Sequence, residues 1–120
     1  MDLVSVVNRR QLGLYMQRIG DRWPIEYARL GGARVADERG APRQRERGPE
    51  FVVVLVSSAY AGMPWLERVY QAKALWDALE MGSGAEVHCY TPKEFERKRV
   101  SLPRVRQAAE TGLDLLSRNG

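Results

Sequence analysis

The chain has 120 residues, of which 44% are hydrophobic and 28% are charged, the proportions of an ordinary globular protein. This length predicts one domain over residues 1–120 and leaves no room for a second core. The single cysteine excludes a disulfide framework, and no apolar run reaches the roughly 18 residues of a membrane span. We therefore expect a cytoplasmic protein with no membrane partner, and the net charge of +4 favours an anionic ligand such as a nucleotide or a nucleic acid.

The N-terminal quarter of the chain predicts a helix, a strand and a diglycine turn. Apolar residues recur at roughly helical spacing over residues 3–19, and Asp2 is the predicted N-cap. Residues 25–30 then form a short predicted strand, which runs directly into Gly31 and Gly32. Adjacent glycines at the end of a strand are typical of a tight turn in which the backbone approaches a neighbour closely.

The composition changes after this turn. Residues 39–49 are rich in arginine, proline and glycine and nearly devoid of bulky apolar side chains, which predicts a long mobile loop. The loop leads through Glu50 into Phe51–Val56, a run of six apolar residues that includes four valines. A half-exposed strand would carry a polar residue at every second position, so this run predicts a central strand that is covered on both faces.

A helix is predicted after the central strand, with Pro64 at its first position and its end near residues 82–84. Apolar side chains recur along it at three- and four-residue spacing, which is typical of a helix face packed against a core. The predicted stripe consists of Trp65, Val69, Ala72, Trp76 and Leu79.

The segment Ala85–Tyr90 alternates and predicts a third strand. Its apolar side chains lie on one face and its polar side chains, Glu86, His88 and Tyr90, lie on the other. We expect Cys89 to be inert packing and His88 to be a hydrogen-bonded histidine rather than a metal ligand.

The C-terminal segment predicts two helices and an edge strand. Thr91, Pro92 and Glu94 form a capping-box pattern that starts a helix at Pro92. A proline after residues 101–102 interrupts this helix, the next one runs to about residue 111, and residues 113–116 add an edge strand. The order of elements predicts an α/β (α+β) fold, a small mixed β-sheet packed with helices.

This arrangement resembles the minimal nucleotidyltransferase domains of the DNA polymerase beta superfamily. The likeness covers residues 3–116 and rests on the order of weak motifs: the diglycine turn, an acidic residue at the head of the central strand and another on the next strand. The segments YTPKEFE at residues 90–96 and AGMPWLER at residues 61–68 are also similar to phrases of prokaryotic members.

The resemblance implies a nucleotidyltransferase-like fold and a set of site residues. Glu50 and Glu86 would be the catalytic carboxylates and would hold Mg²⁺, which prefers hard oxygen ligands. Gly31, Gly32 and Arg34 would bind the triphosphate of a nucleoside triphosphate, through backbone amides at the turn and the guanidinium group.

The sequence departs from the family pattern at the acidic pair. Members carry two aspartates two residues apart, whereas the position two residues after Glu50 is Val52 and the position two residues before it is Gly48. Either alignment leaves one glutamate, so the motif is degenerate. Glu50 and Glu86 can equally be solvated strand residues, and the arginines of the loop can simply be solvated.

Two functions follow from the resemblance. The first is transfer of a nucleoside monophosphate from a triphosphate to a hydroxyl group, in an enzyme whose activity has been lost or retained. The second is a non-catalytic nucleotidyltransferase-like module that pairs with a small helical partner, as in toxin–antitoxin pairs. A third and more remote reading is a nucleic-acid-binding domain, for which the sequence contains no recognised motif.

Overall fold

The structure, a computed structural model, describes residues 7–40 and 48–116. The helices are α1 (Arg9–Arg22), α2 (Ala33–Glu38), α3 (Trp65–Ala74), α4 (Ala78–Met81), α5 (Pro92–Ser101) and α6 (Pro103–Thr111). The strands are β1 (Tyr27–Gly31), β2 (Phe51–Val56), β3 (Ala85–Tyr90) and β4 (Leu113–Asp114), and Ser58–Tyr60 forms one turn of 3-10 helix.

The described strands form one mixed sheet in the order β3-β2-β1-β4. β2 pairs in parallel with β3 and antiparallel with β1, and β4 pairs antiparallel with the other side of β1. Every residue of Phe51–Val56 is buried. The predicted fold class and the central position of this strand beside Ala85–Tyr90 are therefore confirmed.

A separate apolar core covers each face of β2. On one face Val53 and Leu55 pack with side chains of α1 and β3, including Tyr15 and Ile19. On the other face Val52, Val54 and Val56 pack with Tyr90 of β3 and with side chains of α5 and α6, namely Phe95, Val105 and Ala108. Burial of a large apolar side chain stabilises the fold by about 1.5–3 kcal/mol, so a doubly covered strand needs the continuous apolar run that the sequence has.

The first helix starts later than predicted: Val7, which the prediction included, lies before α1. Val7 and Asn8 precede α1, and the Asn8 side chain accepts a hydrogen bond from the Gln11 backbone N–H as the N-cap. Asparagine at this position satisfies an otherwise unpaired helical amide, which favours a start there. The proposed cap Asp2 lies outside the described residues, and the helix continues three residues past Ile19 to Arg22.

The helix predicted from Pro64 to about residue 82 is divided in two, and Pro64 is the N-cap of its first part rather than the first helical residue. α3 ends at Ala74 and α4 begins after Asp77, whose carboxylate accepts a hydrogen bond from the Glu80 N–H as a new N-cap. Trp76 lies in the break and donates its indole N–H to the Ser83 carbonyl at 2.9 Å. The predicted stripe is thus correct for Ala72 and Trp76, which are buried, and for Val69, which is partly buried against the core. It is wrong for Trp65 and Leu79, which are 46% and 90% exposed.

The local signals near the C-terminus are confirmed. Thr91 and Glu94 form both hydrogen bonds of the capping box at the start of α5, and β4 lies at the sheet edge. β4 is shorter than predicted, and β1 starts two residues later than predicted. The mobile loop over residues 39–49 stays a prediction, because residues 41–47 lie outside the described residues. No helix among the described residues is long and apolar enough to cross a membrane.

Candidate functional site

The diglycine turn joins β1 to α2 at the entrance of β2. Gly32 is the N-cap of α2, with φ of 106° and ψ of 177°, a backbone conformation that is essentially restricted to glycine. A Cβ at Gly32 would lie 2.5 Å from the Glu50 carbonyl oxygen, and a Cβ at Gly31 would lie 3.0 Å from the Cβ of Ala108. Gly32 is therefore required by its backbone conformation and by close packing, and Gly31 makes a tight contact with α6.

The backbone amides that follow Gly32 are already used. The Ala33 N–H donates to the Pro49 carbonyl and the Arg34 N–H donates to the Glu50 carbonyl, both at 3.0 Å. A phosphate cradle needs amide groups that point at the ligand and are free to donate. At this turn the carbonyl groups of Pro49 and Glu50 accept the hydrogen bonds that a phosphate would accept.

Glu50 and Arg34 bind each other. The Nε of Arg34 lies 2.8 Å from Oε1 of Glu50, and its Nη2 donates to the Gly82 carbonyl at 3.2 Å. The guanidinium group also lies over the ring of Phe51, 5.5 Å from the ring centre. The predicted metal ligand and the predicted phosphate-binding arginine thus form an ion pair that braces the entrance of β2.

Glu86 belongs to a different group of side chains, which we call the Glu86 cluster and which consists of Arg104, Glu86, His88 and Tyr90. Oε1 of Glu86 accepts a hydrogen bond from Arg104 at 2.7 Å, and Oε2 of Glu86 lies 2.7 Å from Nε2 of His88. The other ring nitrogen, Nδ1, lies 2.9 Å from the Tyr90 hydroxyl. Burial raises the pKa of Tyr90 to about 12, so its hydroxyl stays protonated at neutral pH.

These contacts place the predicted site residues in two groups. Gly31, Gly32, Arg34 and Glu50 come together at the entrance of β2, whereas Glu86 pairs with residues of β3 and α6. In the sheet register Val52 lies directly beside Glu86, so an apolar side chain stands where a further carboxylate would face it. The described ranges contain no group of three or more histidine, cysteine, aspartate or glutamate side chains that could hold a metal ion.

This donor set does not fit magnesium. Each predicted ligand carboxylate already faces an arginine, which neutralises the charge that a divalent cation would need. The metal and nucleotide roles of these residues remain predictions from the resemblance.

Sequence reasoning missed a buried arginine in the middle of α3. Arg68 is only 5% exposed, and it donates to the Met63 and Cys89 carbonyls and to Oε1 of Glu94, the last at 2.7 Å. Its hydrogen bond lowers the pKa of the Glu94 carboxyl below the ordinary value. The sequence gives no signal of this burial, because charged side chains are usually exposed and the partners of Arg68 lie on other elements. Burial also raises the pKa of Cys89 to about 12, in line with its predicted role as packing.

A cavity of about 550 Å³ was also missed. It lies between the start of α3, β3 and α5, and it is lined by Trp65, His88, Tyr90, Glu94, Arg97, Lys98 and Leu102. The adjacent cations Arg97 and Lys98 are the sequence feature that could have pointed to it, but their neighbours come from other elements.

No family model matches the sequence, and no curated protein matches it. The structure is similar to the crystal structure of a protein from Sulfolobus solfataricus that is provisionally assigned as a nucleotidyltransferase. The TM-score is 0.54 at 12% sequence identity, over 91% of this chain and 79% of that chain. An identity this low shows the fold alone, and the nucleotidyltransferase-like fold implied by the sequence is confirmed.

Proposed function

We propose that this chain is a cytoplasmic, non-catalytic nucleotidyltransferase-like module that binds a small helical partner protein. The observation that carries the proposal is the closed turn at the entrance of β2. There the amides of Ala33 and Arg34 donate to the chain's own carbonyls and Glu50 is paired with Arg34.

A triphosphate could enter this turn only at the expense of existing contacts. Two backbone hydrogen bonds, each worth about 0.5–1.5 kcal/mol net, would have to break along with the ion pair between Arg34 and Glu50. The ligand would gain no rigidly held metal ion in return, although phosphoryl transfer depends almost entirely on positioning and on charge stabilisation by such ions. Binding and transfer at this turn are therefore disfavoured together.

The outer surface of α3 supports a protein partner. Leu66 and Tyr70 lie about one helical turn apart and are 72% and 78% exposed. Exposed apolar side chains that lie close together favour an interaction surface. Residues spaced four apart on a helix suit an apolar helical face of a partner.

The enzymatic part is tested with labelled nucleoside triphosphates and Mg²⁺ or Mn²⁺, in the presence of a candidate small helical partner protein. We expect no transfer of label to either protein. Robust transfer that disappears in Glu50→Ala and in Glu86→Ala, but persists in the exposed control Glu110→Ala, would contradict the proposal and restore a nucleotidyltransferase.

The partner is tested by co-expression followed by size-exclusion chromatography. We expect a complex that is lost in the double variant Leu66→Ser/Tyr70→Ser and retained in the matched control Val100→Ser, which changes an exposed apolar residue on α5. Absence of a complex with wild-type protein, or equal binding by all variants, would contradict the role of α3.

A further inference from the structure

The cavity beside β3 has the size of a small-molecule site. Its volume of about 550 Å³ lies within the range of roughly 300–1,000 Å³ that is common for ligand pockets. It is walled by the β3 side chains His88 and Tyr90, by α5, and by Trp65 at the start of α3. Its lining includes neither the residues of the diglycine turn nor Leu66 and Tyr70 of α3.

The charge inside this cavity is positive. Arg97 and Lys98 line it, and none of the described carboxylates is within ion-pair distance of either cation. The one acidic side chain in the lining, Glu94, is bound to the buried Arg68 at 2.7 Å and contributes no uncompensated charge. An anionic group on a ligand would provide the counter-charge that these two cations lack.

The remaining lining residues present rings. Trp65 is 46% exposed, whereas Trp23 and Trp76 are buried, so Trp65 can meet a ligand without rearrangement. A carboxylate can only accept, so in the neutral ring His88 donates from Nε2 to Glu86 and accepts at Nδ1 from Tyr90. With both nitrogens used, His88 offers the cavity a fixed aromatic surface, and Leu102 adds an apolar contact.

We propose that the cavity between Trp65, His88 and the Arg97–Lys98 pair binds a small planar organic anion, an aromatic ring that carries a carboxylate or phosphate group. The ring stacks with Trp65 and His88, and the anionic group binds Arg97 and Lys98. A second cavity, of about 440 Å³, has the opposite charge balance, because its lining contains Glu26, Glu96 and Glu110 and the cation Arg99, which is paired with Glu96. This proposal does not depend on the proposed function.

The test titrates the full chain with phenyl phosphate and with benzoate, using tryptophan fluorescence and calorimetry. Binding of either probe supports the site, and the tighter of the two identifies the preferred anionic group. We expect Trp65→Phe to remove the fluorescence response and Arg97→Gln/Lys98→Gln to weaken binding by about tenfold or more. The double variant Lys73→Gln/Lys93→Gln changes the net charge by the same amount at exposed positions outside the cavity, and should bind as the wild type does.

Several results would overturn the proposal. The cavity is not the site if neither probe binds the folded wild type, or if both double variants weaken binding equally. Inorganic phosphate that binds as tightly as phenyl phosphate would remove the role of the rings. A single-stranded oligonucleotide that binds through Arg97 and Lys98 while the small probes do not would replace the small ligand with a nucleic acid. Circular dichroism of each variant confirms that it is folded.

Discussion

The diglycine turn and the cavity beside β3 differ in how their polar groups are satisfied. At the turn, the amides of Ala33 and Arg34 and the carboxylate of Glu50 are all bound by other groups of the same chain. In the cavity, Arg97 and Lys98 find no carboxylate among the described residues. The diglycine turn and Glu50 are thus explained by contacts within the fold. The two cations of the cavity, Arg97 and Lys98, lie outside the segments that carry the family resemblance.

This difference shows why a glycine or a carboxylate alone identifies a site poorly. A glycine in a turn can let the backbone approach a ligand closely. In this chain, Gly32 instead lets the backbone approach the entrance of β2. Glu50 can hold a cation, but here the nearby cation is Arg34. The contacts of a residue decide between these roles, and only the folded chain supplies them.

The largest effect is expected for Gly32→Ala. The new Cβ would collide with the Glu50 carbonyl and would need a backbone conformation that alanine rarely adopts, so we expect a loss of about 3 kcal/mol or more in the free energy of unfolding. Denaturant unfolding measures this loss. The control Gly13→Ala, where a Cβ meets nothing within 4 Å in α1, should instead be stabilising by about 0.5–1 kcal/mol. A Gly32→Ala protein as stable as the wild type would show that the turn is open.

The next largest effect is expected for Arg68→Met beside the cavity. This change removes the donor to two backbone carbonyls and leaves Glu94 without its ion-pair partner. Breaking a fully buried pair costs about 3–5 kcal/mol, and because Glu94 is partly exposed we expect about 2–3 kcal/mol. Arg99→Met, which breaks the exposed pair with Glu96, should cost at most about 1 kcal/mol. Equal losses in the two variants would contradict the buried role of Arg68.

A smaller effect is expected at the ion pair of the turn. A double-mutant cycle with Arg34→Met and Glu50→Gln should give a coupling energy of about 1 kcal/mol in the free energy of unfolding, because both side chains are partly exposed. The coupling should be unchanged by Mg²⁺ and nucleoside triphosphate. Coupling that is absent without ligand would mean that these two residues are reserved for a ligand.

The smallest effect is expected in the pH dependence of the free energy of unfolding, through Glu94 beside the cavity. Arg68 lowers the pKa of Glu94 below its ordinary value of 4.5 in the folded state. The folded state therefore binds this proton more weakly than the unfolded state does, and the contribution of Glu94 is present above pH 4.5 and lost as pH falls through the folded pKa. Urea unfolding from pH 6 to pH 3 should show this loss in the wild type and less of it in Arg68→Met. Identical pH profiles of unfolding in the wild type and in Arg68→Met would show that Arg68 does not lower the pKa of Glu94.

The sequence predicted those elements whose signals are local or periodic. The six apolar residues of β2, the alternation of β3 and the capping box at Thr91 each specify their element through their own side chains. The break after α3 was missed because Asp77 competes as an N-cap inside an otherwise helical pattern, and nothing in the spacing of the apolar residues marks the change.

The candidate site was harder to predict because its contacts are long-range. Arg34 and Glu50 are 16 residues apart, and Arg68 meets Glu94 across 26 residues. Their roles depend on which elements the fold brings together. The resemblance supplied the fold and a set of residues, but it could not show that these residues bind each other.

The most direct test of the closed turn is a calorimetric titration of the purified chain with ATP and with GTP, each with and without Mg²⁺. The account predicts no magnesium-dependent binding. Any binding that is independent of magnesium and lost in Arg97→Gln/Lys98→Gln would belong to the cavity. Micromolar, magnesium-dependent binding that is lost in Glu50→Gln and in Arg34→Met, but kept in Glu110→Gln, would contradict the account.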